Sequence, residues 1–334
     1  MDAGSGASTL HMSIRRSAAP EIQALMAALA SPDEVKRESA VARLAIVGER
    51  AVDRLTAGYA SASHNARVGI LRALEAIADP RAIGLARQAL SDGGDLAVSA
   101  VPVLRALLDT PDDATASQAL DALVGAALNP AGERRLRVAA FEALSGLPEA
   151  VRAPVAAVIQ RELGPAALVP GRGADALWED AVNGRLPGDP ALLREAVTAR
   201  APNAPLAVLQ KMIDAVRARE HDAPAAGTPE SWRQVRGALH QALALRGSRI
   251  AVYDLRETLA ASKEPLPASF LAAVQVVGDE SCLEPIAIAW SKVPDEAARR
   301  QLTGAFEAIA KREKITRRSA VLKRIATRWP GLRA

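Results

Sequence analysis

The chain has 334 residues, 49% of them hydrophobic and only 3% aromatic, with 42 basic against 38 acidic side chains. That apolar content suffices for a large core, and the length exceeds what one compact core usually supports, so two domains or an elongated repeat array is expected. The single cysteine, Cys282, excludes a disulfide framework and a Cys-based zinc site, and no apolar run is long enough for a transmembrane segment.

Residues 1–19 are small and polar, with Arg15 and Arg16 near their end, and lack the apolar block of a secretory signal. They read as a disordered leader, and the protein as cytoplasmic. Ala, Leu and Arg, all strong helix formers, dominate the rest of the chain, and strand-type clusters of β-branched and aromatic residues are scarce.

From residue 20 onward one pattern recurs. Segments starting at Arg37, Arg67, Ala97 and Arg137 carry Ala40, Ile70, Ala100 and Ala140 at the third position after the start, and Leu44, Leu74, Leu104 and Leu144 at the seventh. Val41, Leu71, Val101 and Phe141 fall between them, and Val47, Ile77, Leu107 and Leu147 close each set. Such spacing puts every one of these side chains on one face of a helix. A second set, Ile22, Val52 and Ala82 with Leu25, Leu55 and Leu85, precedes the first three, so each unit is an outer helix followed by an inner one. The connections carry helix-start chemistry. Ser31-Pro32-Asp33-Glu34 reads as a capping box with proline at the first helical position, Thr110-Pro111-Asp112-Asp113 and Thr228-Pro229-Glu230 repeat it, and Asp79-Pro80 ends one helix and opens the next.

Residues 164–230 are less regular. Glycine and proline clusters at 164–173, 187–190, 202–205 and 221–228 break the periodicity and leave short helices around Leu192 to Thr198 and Leu206 to Arg217. The period returns afterwards with Arg236, Leu239 and Leu243, then Phe270, Val274 and Val277, then Arg299, Leu302, Phe306 and Ile309.

These helical hairpins of roughly 30 residues resemble HEAT repeats, especially the short form of phycobilisome lyase-like repeat proteins. The residues that carry the likeness are Asp33 to Gly48, Asn65 to Arg81, Arg135 to Leu147 and Gly278 to Ile286. The resemblance implies an all-α fold, a right-handed α-solenoid of stacked antiparallel helix pairs. It would comprise an N-terminal array at 20–163, irregular repeats or a hinge at 164–230, C-terminal repeats at 231–310 and a basic amphipathic capping helix at 311–334. It implies little about activity, since such frameworks serve many functions.

The strongest local feature is that tail. Lys311, Arg312, Lys314, Arg317, Arg318, Lys323, Arg324, Arg328 and Arg333 face only Glu313, so the tail carries +8 and the remainder −4. With Ile315, Leu322, Ala326 and Trp329 at helical spacing, it reads first as an end cap that keeps the array soluble. The alternative is contact with an anionic partner through Lys311, Arg312, Lys314, Arg317, Arg318, Lys323, Arg324 and Arg328, nucleic acid included. The recurring arginines Arg37, Arg67, Arg137, Arg236 and Arg299 read as a structural ladder, with Asp33 and Glu133 one turn before two of them.

No catalytic, cofactor-binding or metal-ligating set emerges. His11, His64, His221 and His240 form no ligand pattern, and His64 and His221 fall in predicted loops. A diiron hydroxylase on a HEAT scaffold would need repeated His-Glu motifs, which are absent. Gly171-Arg172-Gly173 lacks the strand and the Lys-Ser/Thr ending of a phosphate loop. Trp178 beside Glu179-Asp180 has a faint likeness to helical-repeat DNA glycosylases, but Trp178, Trp232, Trp290 and Trp329 are widely separated and read as core. Cys282 reads as a small buried hydrophobe. The expectation is a non-enzymatic scaffold that holds a protein or peptide partner on a concave face, with no cofactor. Nucleic-acid binding through the tail is the alternative, and a lyase-like or chaperone role on a prosthetic group is a weaker third.

Overall fold

The computed structural model describes residues 19–164, 174–221, 227–316 and 318–332, and those residues are helical, with no strand among them. The expected leader at 1–19 lies outside them except for its last residue. Helices α1 (Ala19–Leu29), α3 (Glu49–Tyr59), α5 (Ile83–Asp92), α7 (Asp113–Leu128) and α9 (Glu149–Leu163) alternate with α2 (Glu34–Val47), α4 (His64–Ile77), α6 (Gly94–Leu107) and α8 (Arg134–Ala143). The second set packs in sequence order, α2 on α4, α4 on α6 and α6 on α8. Leu44, Leu74, Leu104 and Leu144 have no exposed surface and share one core with Ala40, Ile70, Ala100 and Ala140. At the next position only Leu107 is fully buried, while Val47, Ile77 and Leu147 are half-buried.

Further along the chain lie α10 (Ala174–Val182), α11 (Pro190–Arg200), α12 (Leu206–His221), α13 (Pro229–Leu245), α14 (Val252–Ala261), α15 (Ala268–Val277), α16 (Leu283–Lys292), α17 (Glu296–Arg312) and α18 (Ala320–Arg328). Here α11, α13, α15 and α17 form the second row. The segment between residues 174 and 221 packs tightly: α10 lies on α11, and α11 and α12 both lie on α13, sharing a core with Trp232 and Leu239.

The caps differ in part from the sequence pattern. Thr228 caps α13 with Pro229 in its first turn and Ser231 completing a capping box. At the two other Ser/Thr-Pro-Asp sites the cap is the aspartate: Asp33 accepts from the Val35 amide and Asp112 from the Thr115 amide. A carboxylate at that position satisfies an open amide and also offsets the positive helix end, which a hydroxyl does not.

The ladder arginines serve the structure, through different partners than the carboxylates one turn away. Arg37 donates to the Ser31 and Pro32 carbonyls, Arg67 to Tyr59 and Ala60, Arg137 to Ala127, and Arg299 to Val293. These carbonyls lie at or just beyond the ends of the preceding helices, where acceptors are open and a cation is favoured.

The two rows meet. Helix α2 packs against α15 and α13 as well as α4, and its Val35 and Ala42 belong to the core of the second row. The Ser39 hydroxyl donates to Gln275 Oε1 across this junction at 2.8 Å. Four consecutive residues of α2, Ser39 to Ala42, are buried, as are six of α13, Leu239 to Ala244. Helices buried on more than one side need such runs, in contrast with the single stripe of a surface helix.

Candidate functional site

Just beside the junction the rows diverge and leave a recess of about 460 Å³ between α2, α4, α11 and α13, with Pro267 and the first turn of α15 closing one side. Its charged groups are Glu34 and Glu38 from α2, Arg72 and Glu75 from α4, and Arg194 from α11. Glu38 is the hub. It takes a two-pronged pair from Arg72 at 2.5 and 2.8 Å, and its carboxylate and carbonyl both accept from Gln241 Nε2 at 3.2 Å. One side chain thereby joins α2, α4 and α13. Arg194 donates one Nη1 to Gln234 Oε1 at 2.7 Å.

Two acceptors in this recess are left over. Gln241 is 6% exposed, and its Oε1 has no hydrogen-bond partner; a buried acceptor left so costs about 1–3 kcal/mol. Glu75 forms no hydrogen bond or ion pair among the described residues. Burial pushes its carboxyl up to about 7, with the Arg72 charge opposing the shift.

None of these residues stands out in the sequence except Glu38. Its repeat position holds Val68, Val98 and Val138 in the three other units. A carboxylate where the pattern asks for valine marks a helix with a different neighbour. Glu75, Arg194 and Gln241 carry no such signal, because their proximity depends on how the two rows cross.

A second polar cluster lies under α12, α13 and α14. Arg236, nearly fully buried, donates to Asp254 at 2.9 Å and to Glu220 at 2.6 Å, and His240 Nε2 lies 2.7 Å from Asp254 Oδ2. Burial pushes the Asp254 carboxyl up, but the hydrogen bonds from His240 and Arg236 and the Arg236 charge outweigh it and hold it below its usual range. Burial drives the His240 pKa down, so the ring is neutral and Nε2–H donates to the carboxylate. The Phe270 ring lies 5.2 Å away, edge to face. This His–Asp pair has no water-accessible side and holds helices together.

The predicted tail contacts are split by the structure. Arg312 is half-buried at the end of α17, donates to the Gln275 and Gly278 carbonyls, and pairs with Glu313, so it is a helix clamp and not a surface cation. Arg324 and Arg328 lie by Glu284 of α16 at 3.0 and 3.9 Å. Lys311, Lys314, Arg318 and Lys323 are exposed, and Arg317 lies outside the described residues. The apolar stripe of α18 is Leu322 and Ile325, while Ala326 is exposed, because the helix docks on α16 through a three-residue step.

His64 opens α4 and His221 ends α12, both exposed but helical and not in loops, and His11 lies outside the described residues. Cys282 is fully buried and its thiol is pushed up by that burial. Trp232 is fully buried; Trp178, Trp290 and Trp329 are partly buried against the cores. The Gly171 segment also lies outside the described residues. Among those described, no group of three or more His, Cys, Asp or Glu could hold a metal, and no helix is long and apolar enough to cross a membrane. No protein-family model matches the chain, and no curated protein sequence matches it.

Proposed function

We propose that the chain is a non-enzymatic scaffold of HEAT-like helix pairs, a right-handed solenoid that binds a protein or peptide partner on the face formed by its inner helices. The observation that carries this is the recess between the two inner rows, where side chains of four helices converge without any helix covering them. Partner binding on an inner face suits repeat arrays, whose surfaces are extended and held by neighbour contacts. Nucleic-acid binding through the tail is the weaker reading: Arg312, Arg324 and Arg328 are engaged within the chain, and one short helix is a small footprint for a phosphate backbone.

The test is site-specific photocrosslinking in cell extract followed by mass spectrometry. A crosslinker at Ala76 or Thr198, both exposed at the recess, should capture one protein that the same group at Gln88 on α5 does not. Equal capture from Gln88, or retention on DNA that is lost when Lys314, Arg318 and Lys323 are neutralised, would favour the alternative.

A further inference from the structure

The recess leaves particular acceptors without a donor. Glu38 is already neutralised by Arg72, and Arg194 has one of its donors on Gln234. The acceptors that remain are the Glu75 carboxyl, the Glu34 carboxyl at the rim, and the Oε1 of Gln241, nine-tenths buried and without a partner, while Arg194, at an exposed position, keeps its other N–H groups. Three acids and two arginines line the recess, an excess of one negative charge when all three acids are ionised. A ligand made of acceptors, such as a phosphate or carboxylate, would meet repulsion from these groups; a planar or tetrahedral cation carrying several N–H donors would satisfy them. The volume of about 460 Å³ exceeds a single side chain and falls within the range of small-ligand sites.

We propose that the recess between α2, α4, α11 and α13 receives a guanidinium or ammonium group, held by Glu75 and Glu34 and by the free Gln241 oxygen. The group is either a basic side chain of the bound partner or a free small cation. This deepens the scaffold reading, and the two fail separately. Crosslinks from Ala76 and Thr198 to a partner would survive a recess that ignores cations, and cation binding would survive the absence of a captured protein.

Binding should couple to protons at Glu75. The charged groups that face it are Glu34 and Glu38 from α2, Arg72 on its own helix and Arg194 from α11; α13 and the start of α15 present none. With its carboxyl pushed up to about 7 by burial, Glu75 is partly protonated at neutral pH and must ionise to hold a cation. Affinity should therefore rise with pH through neutrality.

The experiment is isothermal titration of the full chain with agmatine and with a capped arginine pentapeptide, using the citrulline peptide as the uncharged match. Agmatine or the arginine peptide should bind, the citrulline peptide at least about tenfold more weakly. Glu75→Gln should weaken binding about tenfold and abolish its pH dependence, and Glu34→Gln, at an exposed position with little bearing on folding, should weaken it several-fold. Peptide binding tighter than agmatine assigns the site to a partner's side chain, and the reverse order assigns it to a free cation. No binding of either probe at millimolar concentration, or equal binding by wild type and both variants, overturns the proposal.

Discussion

At the scale of single residues, three side chains carry distinct consequences. Leu74 has no exposed surface and lies in the shared core of α2, α4 and α6. Leu74→Ala should cost about 2–5 kcal/mol in denaturant unfolding, the transfer loss plus the cavity it leaves. Asp254 is wholly buried and accepts from Arg236 and His240. Asp254→Ala leaves the buried Arg236 with Glu220 as its one carboxylate partner and takes the acceptor from His240, and a loss of about 1–3 kcal/mol, the cost of buried donors left open, is expected in the same assay. Glu75 should instead be destabilising at high pH. Its folded pKa, about 7, lies above the usual 4.5, so the folded state binds the proton more tightly. Its favourable contribution is complete below pH 4.5 and is lost as pH rises through about 7. Glu75→Gln should therefore melt higher than wild type at about pH 8, with the difference vanishing near about pH 4.

At the scale of elements, the approach of α13 to α15 is set by Gly237. A Cβ added there would come within 2.6 Å of Ser269 Oγ and 3.4 Å of the Phe270 backbone nitrogen. The hydroxyl can rotate away from alanine, but a valine would press on the backbone of α15. Gly237→Val should cost about 1–3 kcal/mol by overpacking, read as a fall in melting temperature with the helical circular dichroism retained at low temperature. The inner-helix stripes of α2, α4, α6 and α13 are legible in the sequence because a period near 3.6 reports burial directly. The end stripe of α18 differs by one residue from its sequence pattern, Ile325 in place of Ala326, because both offsets of three and four fit a helix of this length and only the position of α16 decides between them. A similar ambiguity at the helix starts favours Ser31 and Thr110 as caps in the sequence, where Asp33 and Asp112 hold them in the structure.

At the scale of the whole molecule, the packing of α2 against α13 and α15 is what brings residues some two hundred positions apart into one recess, as in the Gln241–Glu38 contact. Ala42 is fully buried within the core of the second row. Ala42→Arg should part the rows while the helices of each persist, since neighbour contacts within a row are untouched. Small-angle scattering should show a larger radius of gyration with little change in helicity, whereas global loss of helix would mean that the rows do not fold without each other. By itself the sequence determined the helical class and the face of each inner helix that is buried, because spacing along a single chain dictates both; the repeated arginines Arg37 and Arg137 bond to backbone carbonyls and not to the carboxylates that their spacing suggested. Only the tertiary structure decided that α2 has a second partner, that Arg312 is a clamp, and that Glu75 and Gln241 share a recess. Contacts between distant helices depend on the summed small rotations from one unit to the next, and no local pattern of residues records that sum.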